Sequence, residues 1–133
     1  MDLYAENILD HYRHPRGKSR LPSPTVTHEE LNLSCGDALT VDLLIDGDRI
    51  RSVGWEGSGC AISQAAMSML SEALVGKSLQ EVDALQKEDV YELLGVPIGP
   101  RRVKCALLCL YAVKNAGRKF KKEQPQEWTE TVR

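Results

Sequence analysis

The chain has 133 residues, of which 42% are hydrophobic and 27% charged, so its size and composition are typical of one folded domain rather than a disordered segment. The formal net charge of −2 provides no strongly basic surface, so we expect neither nucleic acid nor a membrane as a partner. No segment reaches membrane-spanning length and the N-terminus lacks the apolar core of a signal peptide, so we expect a cytoplasmic protein.

The first predicted elements are a helix, an irregular crossing segment and a strand. Apolar residues recur at near-helical spacing over residues 3–13, and His14-Pro15 ends that helix. The stretch that follows is rich in Pro, Ser and charged residues, which indicates irregular structure up to a first strand near residues 25–32.

A β-hairpin is the next predicted element. Two runs rich in β-forming residues, 38–45 and 49–57, flank Asp46-Gly47-Asp48, whose residue types accept the positive φ angles of a tight turn. Apolar residues alternate along the first run, which predicts one buried face. The second run breaks this alternation, which indicates a bulge.

Helical periodicity dominates the second half of the chain. The predicted helices span residues 60–75, a short segment from a capping box at Ser78-Leu79-Gln80-Glu81, residues 88–94 and residues 101–119. Because strands come early and helices late, the fold class is α+β, with a small antiparallel sheet of about three strands and helices packed on it. We assign residues 1–122 to a single domain and residues 123–133 to a loosely ordered tail.

Three of the four cysteines lie where the predicted structure changes. Cys35 precedes a strand, Cys60 lies between a strand and a helix, and Cys105 belongs to the first turns of the last helix. Side chains at the ends of elements are able to converge on a ligand without disturbing a packed interior. Since we expect no export signal, metal binding or thiol chemistry is favoured over a disulfide framework.

The chemistry of these residues favours a metal site. At a helix start, Cys60 has a stabilised thiolate, because the unsatisfied N–H groups and the helix dipole favour negative charge. Asp37 follows Cys35 by two residues, so the two side chains project from the same side if residues 35–37 are extended. Cys35, Asp37, Cys60 and Cys105 then make a tetrahedral set that suits zinc. A 2Fe-2S cluster also accepts mostly thiolates, and spacing alone does not distinguish the two.

Other candidate residues have simpler interpretations. Cys109 follows Cys105 by four residues in an apolar helix, and we interpret it as a buried core residue. Asp37 alone would more often be a turn or capping residue, so its assignment depends on Cys35. The histidines fit no metal spacing with one another, and we expect surface or interface positions for His11, His14 and His28. Motifs of conventional hydrolases and nucleotide-binding proteins do not occur, which leaves enzymatic activity an open question.

Four motifs cover most of residues 4–112 in a consistent order. They are Tyr4-x-x-x-Ile8-x-x-His11-Tyr12-x-x-Pro15-Arg16, Cys35-Gly36-Asp37, Gly57-x-Gly59-Cys60-Ala61-Ile62-Ser63 and Arg102-Val103-Lys104-Cys105-Ala106. Together these segments resemble the family of IscU, SufU and NifU N-terminal domains, which assemble iron–sulfur clusters. The resemblance implies an α+β fold in which the three cysteines gather at one end, near Asp37.

The last motif resembles the SufU branch, because Lys104 stands where the IscU branch has a histidine. This resemblance implies that the protein accepts persulfide sulfur from a cysteine desulfurase and passes it to downstream iron–sulfur assembly proteins. Cys35 would be the sulfur acceptor, with Arg102 supporting the site. The implied zinc ligands are Cys35, Asp37, Cys60 and Cys105. The interval between Cys60 and Cys105 spans only 44 residues, which is closer to IscU, so the branch stays open.

Three functional hypotheses follow from these observations. The leading one is a SufU-type, zinc-binding acceptor of persulfide sulfur. The second is an IscU-type scaffold that holds a nascent 2Fe-2S cluster with the same residues. The third, from another class, is a structural zinc module that has no role in sulfur transfer.

Overall fold

A three-stranded antiparallel sheet with helices packed against it forms the fold, in a computed structural model that describes residues 3–34 and 36–128. The strands lie in the order β1-β2-β3 and are β1 Val26–Asn32, β2 Asp37–Asp46 and β3 Arg49–Ser58. The helices are α1 Leu3–Arg13, α2 Ala61–Leu74, α3 Leu79–Asp83, α4 Lys87–Leu94 and α5 Val103–Phe120. The predicted α+β class is therefore confirmed. Within the described ranges, no helix is long and apolar enough to cross a membrane.

The predicted hairpin and its bulge are both present. Asp46 pairs with Arg49 around Gly47, which has the positive φ of 67° that favours glycine in such a turn. Leu44 lies opposite Ser52, whereas the next residue of β2 lies opposite Ile50, so β3 contains one extra residue. The bulge explains why hydrophobic alternation fails in the second strand.

The hydrophobic core lies between one face of the sheet and the helices. Leu39, Val41 and Leu43, at alternate positions of β2, have no solvent exposure. Trp55 of β3 lies opposite Val41 and is also fully buried. Helix α5 packs on β1 and β2, while α2 packs on β3 and on α5. This arrangement fixes α2 and α5 relative to the ends of the strands.

The crossing segment between α1 and β1 is tied to the opposite face of the sheet. The guanidinium of Arg20 donates hydrogen bonds of 2.6 and 3.0 Å to the two carboxylate oxygens of Asp42, whose side chain has no exposure. Burial raises the pKa of Asp42, but hydrogen bonds from Arg20, Thr27 and the Leu21 backbone outweigh it, so the pKa lies below its usual value. Irregular backbone is thus held in place by a charge-assisted pair.

Helix α1 is joined to α2 by a buried polar contact. The His11 Nδ1 atom lies 2.7 Å from Ser68 Oγ, which also accepts a 2.8 Å hydrogen bond from the Arg16 backbone N–H. The Arg16 carbonyl accepts hydrogen bonds from Ser71 Oγ at 3.0 Å and Trp55 Nε1 at 2.8 Å. His11 therefore lies at a helix interface, and the first sequence motif has a structural role here.

Packing contacts with the domain continue beyond α5. Trp128 is 2% exposed and stacks on Tyr111, with ring centroids 4.9 Å apart and planes inclined by 8°. The Asn115 side chain receives a 2.7 Å hydrogen bond from the Gln126 backbone and donates a 3.2 Å bond back to its carbonyl. The domain boundary at residue 122 stays a prediction, but Trp128 belongs to the packed interior.

Candidate metal centre

Three of the four sequence-predicted ligands meet at one end of the sheet. Asp37 is the first residue of β2, Cys60 is the N-cap of α2, and Cys105 lies in the first turn of α5. One carboxylate oxygen and the two sulfurs all lie within 4.8 Å of one another. The fourth predicted ligand, Cys35, lies outside the described residues.

The topology of the sheet explains why these distant residues converge. Strands β2 and β3 are antiparallel, so the start of β2 is adjacent to the end of β3, with Ala38 opposite Ser58. The chain enters α2 two residues after β3, which places Cys60 beside Asp37. Helix α5 packs across β1 and β2, and its N-terminal end positions Cys105 at the same edge.

The backbone at the start of α2 stabilises the Cys60 thiolate. Partial burial raises the pKa of this thiol, but the backbone N–H groups of Ser63 and Ile62 and the Cys105 side chain hydrogen-bond to the sulfur. The Asp37 carboxylate opposes them by charge repulsion, and the net effect is a pKa below the ordinary value. This agrees with the effect that the sequence predicted for a cysteine at a helix N-terminus.

Burial differs among the three ligand side chains. Asp37 and Cys105 are only 4% and 3% exposed, whereas Cys60 is partly exposed. Of these three side chains, Cys60 is therefore the one that solvent reaches. The other two side chains are held within the protein.

The donor set fits zinc. Zinc binds cysteine sulfur at about 2.3 Å and carboxylate oxygen at about 2.0–2.2 Å in a tetrahedral arrangement, which places two sulfurs roughly 3.8 Å apart. The observed atoms lie within 4.8 Å of one another, so a shift of about 1 Å would bring them to these distances. Two soft donors and one hard donor leave one tetrahedral position, which the sequence analysis predicts for Cys35.

The segment before Asp37 is a turn rather than an extended strand. Gly36 has a positive φ of 74°, and its N–H donates a 2.9 Å hydrogen bond to the Asn32 carbonyl. The assumption that residues 35–37 are extended is therefore wrong at Gly36. Asn32 is 1% exposed, and its side chain also accepts a 3.2 Å hydrogen bond from the Ser34 backbone. Sequence analysis missed this role of Asn32, although asparagine is a common turn residue.

The remaining candidate residues belong to α5 and to the turn that precedes it. Arg102 is exposed in a short 3-10 turn, Pro100–Arg102, that leads directly into α5. Lys104 is partly buried next to Cys105. Cys109 has no exposure, contacts the Ala106 carbonyl at 3.4 Å, and burial raises its thiol pKa to about 12. Its prediction as a core residue is confirmed.

Comparisons with known proteins agree with this architecture. The family model described as "NifU-like N terminal domain" matches residues 3–127. Among curated proteins, the zinc-dependent sulfurtransferase SufU of Bacillus subtilis is 32% identical, over 84% of this chain and 87% of that protein. The iron–sulfur cluster assembly scaffold protein IscU of Thermotoga maritima is 31% identical, over 89% of this chain and 94% of that protein.

Solved structures show the same fold. The crystal structure of FiSufU from the thermophilic Fervidobacterium islandicum AW-1 superposes with a TM-score of 0.75 at 32% identity, covering 84% of this chain and 94% of that one. A NifU-like N-terminal protein from Brucella abortus reaches the same TM-score of 0.75 at 21% identity, which supports the fold alone.

Proposed function

Since this chain belongs to the NifU-like N-terminal domain family of iron–sulfur cluster assembly scaffolds, we propose that it is a zinc-binding sulfur acceptor of the SufU type. Its sulfur donor would be a cysteine desulfurase, and its zinc ligands would be Cys35, Asp37, Cys60 and Cys105. The observation that supports this most strongly is the convergence of Asp37, Cys60 and Cys105 within 4.8 Å. The thiolates require a reducing compartment, and we propose the cytoplasm.

Each ligand has a distinct part in this proposal. Zinc keeps its cysteine ligands deprotonated at neutral pH, so that they are available as nucleophiles without a separate base. Asp37 and Cys105 are nearly buried and would hold the centre together throughout transfer. Cys35 is assigned as the acceptor from the Cys35-Gly36-Asp37 motif, and its neighbour Gly36 is exposed.

The transfer step balances without an external oxidant or reductant. The Cys35 thiolate attacks the terminal sulfur of the persulfide on the desulfurase. A new S–S bond forms at Cys35, the donor's S–S bond breaks, and its electron pair leaves on the donor cysteine as a thiolate. The product is a persulfide on Cys35. Its outer sulfur would then pass to downstream iron–sulfur assembly proteins.

Arg102 would support the site electrostatically. It lies in the 3-10 turn that ends where α5 begins, three residues before Cys105. A guanidinium in this position would attract an anionic persulfide and a negatively charged partner surface. Because its side chain is exposed, we expect Arg102 to affect the rate of transfer more than the affinity for zinc.

A scaffold function is the second candidate, and two observations favour it. The IscU relative from Thermotoga maritima is 31% identical, which is nearly the same as the SufU relative. The interval of 44 residues between Cys60 and Cys105 also lacks the insertion usual in SufU proteins. In that case the same residues would hold a nascent 2Fe-2S cluster.

One experiment separates the two candidates. The protein is purified without added metal, its zinc and iron are measured, and it is incubated with a cysteine desulfurase and cysteine. The proposal predicts one zinc per chain and a persulfide on Cys35, mapped by mass spectrometry after alkylation, with loss of transfer in Cys35→Ala. Cys109→Ala is the matched control and should retain transfer, because Cys109 is a core residue.

The contrary result is equally specific. If the protein contains no zinc, receives no persulfide, and gains stable visible absorption after reconstitution with iron and sulfide, then the scaffold function replaces the proposal.

A further inference from the structure

We propose that Gly59 is a positioning residue for the metal centre, because its missing side chain leaves the space in which the Asp37 carboxylate reaches Cys60. This inference rests on the proposed zinc-binding function. Glycines between a strand and a helix commonly serve only to let the backbone turn sharply. The structure gives Gly59 a separate role.

The space at Gly59 is already filled by two side chains. A Cβ atom built on Gly59 would lie 2.6 Å from Asp37 Oδ1 and 2.9 Å from Asp37 Cγ, and it would also overlap Ser63 Oγ. Contacts below 3.0 Å essentially never occur for real Cβ atoms, so one of these groups has to move. Even the smallest side chain at position 59 therefore competes with the carboxylate.

The carboxylate is the group most able to move. Ser63 is fully buried, and its hydroxyl donates a 3.0 Å hydrogen bond to the Cys60 carbonyl. The backbone of Asp37 is held by its pairing with Asn32 at the start of β2. Rotation of the Asp37 side chain is the way to relieve the overlap with the carboxylate, while the closer contact with the Ser63 hydroxyl needs a separate adjustment. A substitution at Gly59 would thus displace the hard donor from the two sulfurs.

The other glycine of the same motif has a different role. A Cβ on Gly57 would overlap the Ala38 carbonyl oxygen and lie 3.0 Å from Leu39 Cα, both of which are backbone atoms of the neighbouring strand. Substitution of Gly57 is therefore expected to disturb the sheet. At Gly59 a Cβ meets side-chain atoms only, but the positive φ of 159° also strains any other residue there, so Gly59→Ala should alter ligand geometry and lower stability without breaking the strand pairing.

Gly99 provides the control for an added methyl group without backbone strain. It precedes the 3-10 turn that leads to Cys105, has an ordinary φ of −71°, and a Cβ there would meet no atom within 4 Å. Gly99→Ala should therefore change neither the fold nor the metal centre.

The test is a double-mutant cycle between Gly59→Ala and Asp37→Ala, read out by zinc affinity in competition with a chromogenic chelator. Removing a group that orients a metal ligand typically weakens metal binding about 10–100-fold, and we expect this loss for Gly59→Ala. If Gly59 acts through Asp37, the double variant should bind zinc no more weakly than Asp37→Ala alone. Visible absorption of the cobalt-loaded proteins should show the same altered ligand field in both single variants.

Two results would overturn the inference. The first is wild-type zinc affinity in Gly59→Ala, and the second is full additivity of the two substitutions. The variant Gly59→Ala with Ser63→Ala removes the hydroxyl overlap, the closest of the contacts, so it is the less crowded protein in which to repeat the zinc measurement. It should keep the weakened zinc binding, and recovery of wild-type affinity would assign the effect to Ser63 instead.

Failure of the proposed function gives a different pattern. A wild-type protein that binds zinc but receives no sulfur would remove the sulfur-acceptor function and leave the role of Gly59 standing. A wild-type protein that binds neither zinc nor cobalt would overturn both.

Discussion

Two regions of the molecule bury polar side chains from distant segments: the contact between α1 and α2, and the candidate metal centre. They differ in how the buried polar groups are stabilised. At the helix contact, the Ser68 hydroxyl lies between His11 and the Arg16 backbone at 2.7 and 2.8 Å, and no group there has to be charged. At the metal centre, a carboxylate and two thiols approach within 4.8 Å. All three become anions when they lose a proton, and buried like charges destabilise a fold.

This difference separates a structural polar cluster from the candidate metal centre. Neutral hydrogen bonds at the helix contact stabilise the fold by themselves. Under the proposed function, a bound cation would balance the charge of the candidate metal centre. Four predictions test this comparison, from the largest expected effect to the smallest.

Zinc removal should have the largest effect. A ligand present at 1,000 times its dissociation constant stabilises the folded state by about 4 kcal/mol, so a chelator should lower the free energy of unfolding by roughly that amount. Thermal unfolding followed by circular dichroism, with and without chelator, measures the change. Cys60→Ala should be insensitive to the chelator, and equal sensitivity of this variant would contradict the assigned ligand.

His11→Ala tests the contact between α1 and α2. Loss of the buried contact with Ser68 should reduce the free energy of unfolding by about 2 kcal/mol. Zinc affinity should stay unchanged, because effects at well-separated sites are independent. The control is His14→Ala at an exposed position, which should unfold like the wild type in a urea titration. Weaker zinc binding in His11→Ala would show that the two regions are coupled.

Asp37→Asn should affect stability and binding in opposite directions. Removing the carboxylate charge relieves its repulsion with the Cys60 thiolate, so the zinc-free protein should gain about 1 kcal/mol of stability. Zinc affinity should fall about 10–100-fold. The exposed Asp48→Asn is the control for charge alone. A zinc-free protein that is less stable after Asp37→Asn would instead give the carboxylate a structural role.

The pH dependence of stability should reveal the lowered pKa of His11. Burial, together with the nearby Arg16 charge, lowers the pKa of His11 below its ordinary value of 6.5. The unfolded chain therefore binds the proton more readily, so the stabilising contribution is complete above pH 6.5 and is lost as the pH falls through the lower, folded pKa. Urea midpoints of the zinc-free protein should decrease below pH 6.5. The decrease should be smaller in His11→Gln, and an identical decrease would exclude His11 as its cause.

Local sequence patterns predicted most elements of the fold. The hairpin around Gly47 follows from turn residues between alternating strands, and the capping box at Ser78 and Glu81 forms as expected, with hydrogen bonds of 3.0 and 3.1 Å. Such features depend on neighbours within a few residues, so a single sequence contains the information. The extended conformation assumed near Asp37 is wrong at Gly36, because β1 and β2 pair as a hairpin with Asn32 opposite Asp37, and the short connection between them has to turn.

The three residues that converge were also singled out from the sequence, because their motifs resemble those of a known family. Their common location is a tertiary property, since it depends on how α5 packs across the sheet and on which strand ends are adjacent. The same holds for the space at Gly59 and the burial of Trp128 against Tyr111. The sequence by itself determined the elements and the chemistry of the donor atoms. Only the tertiary structure decided which atoms meet, because contacts between distant segments are set by packing of the whole domain.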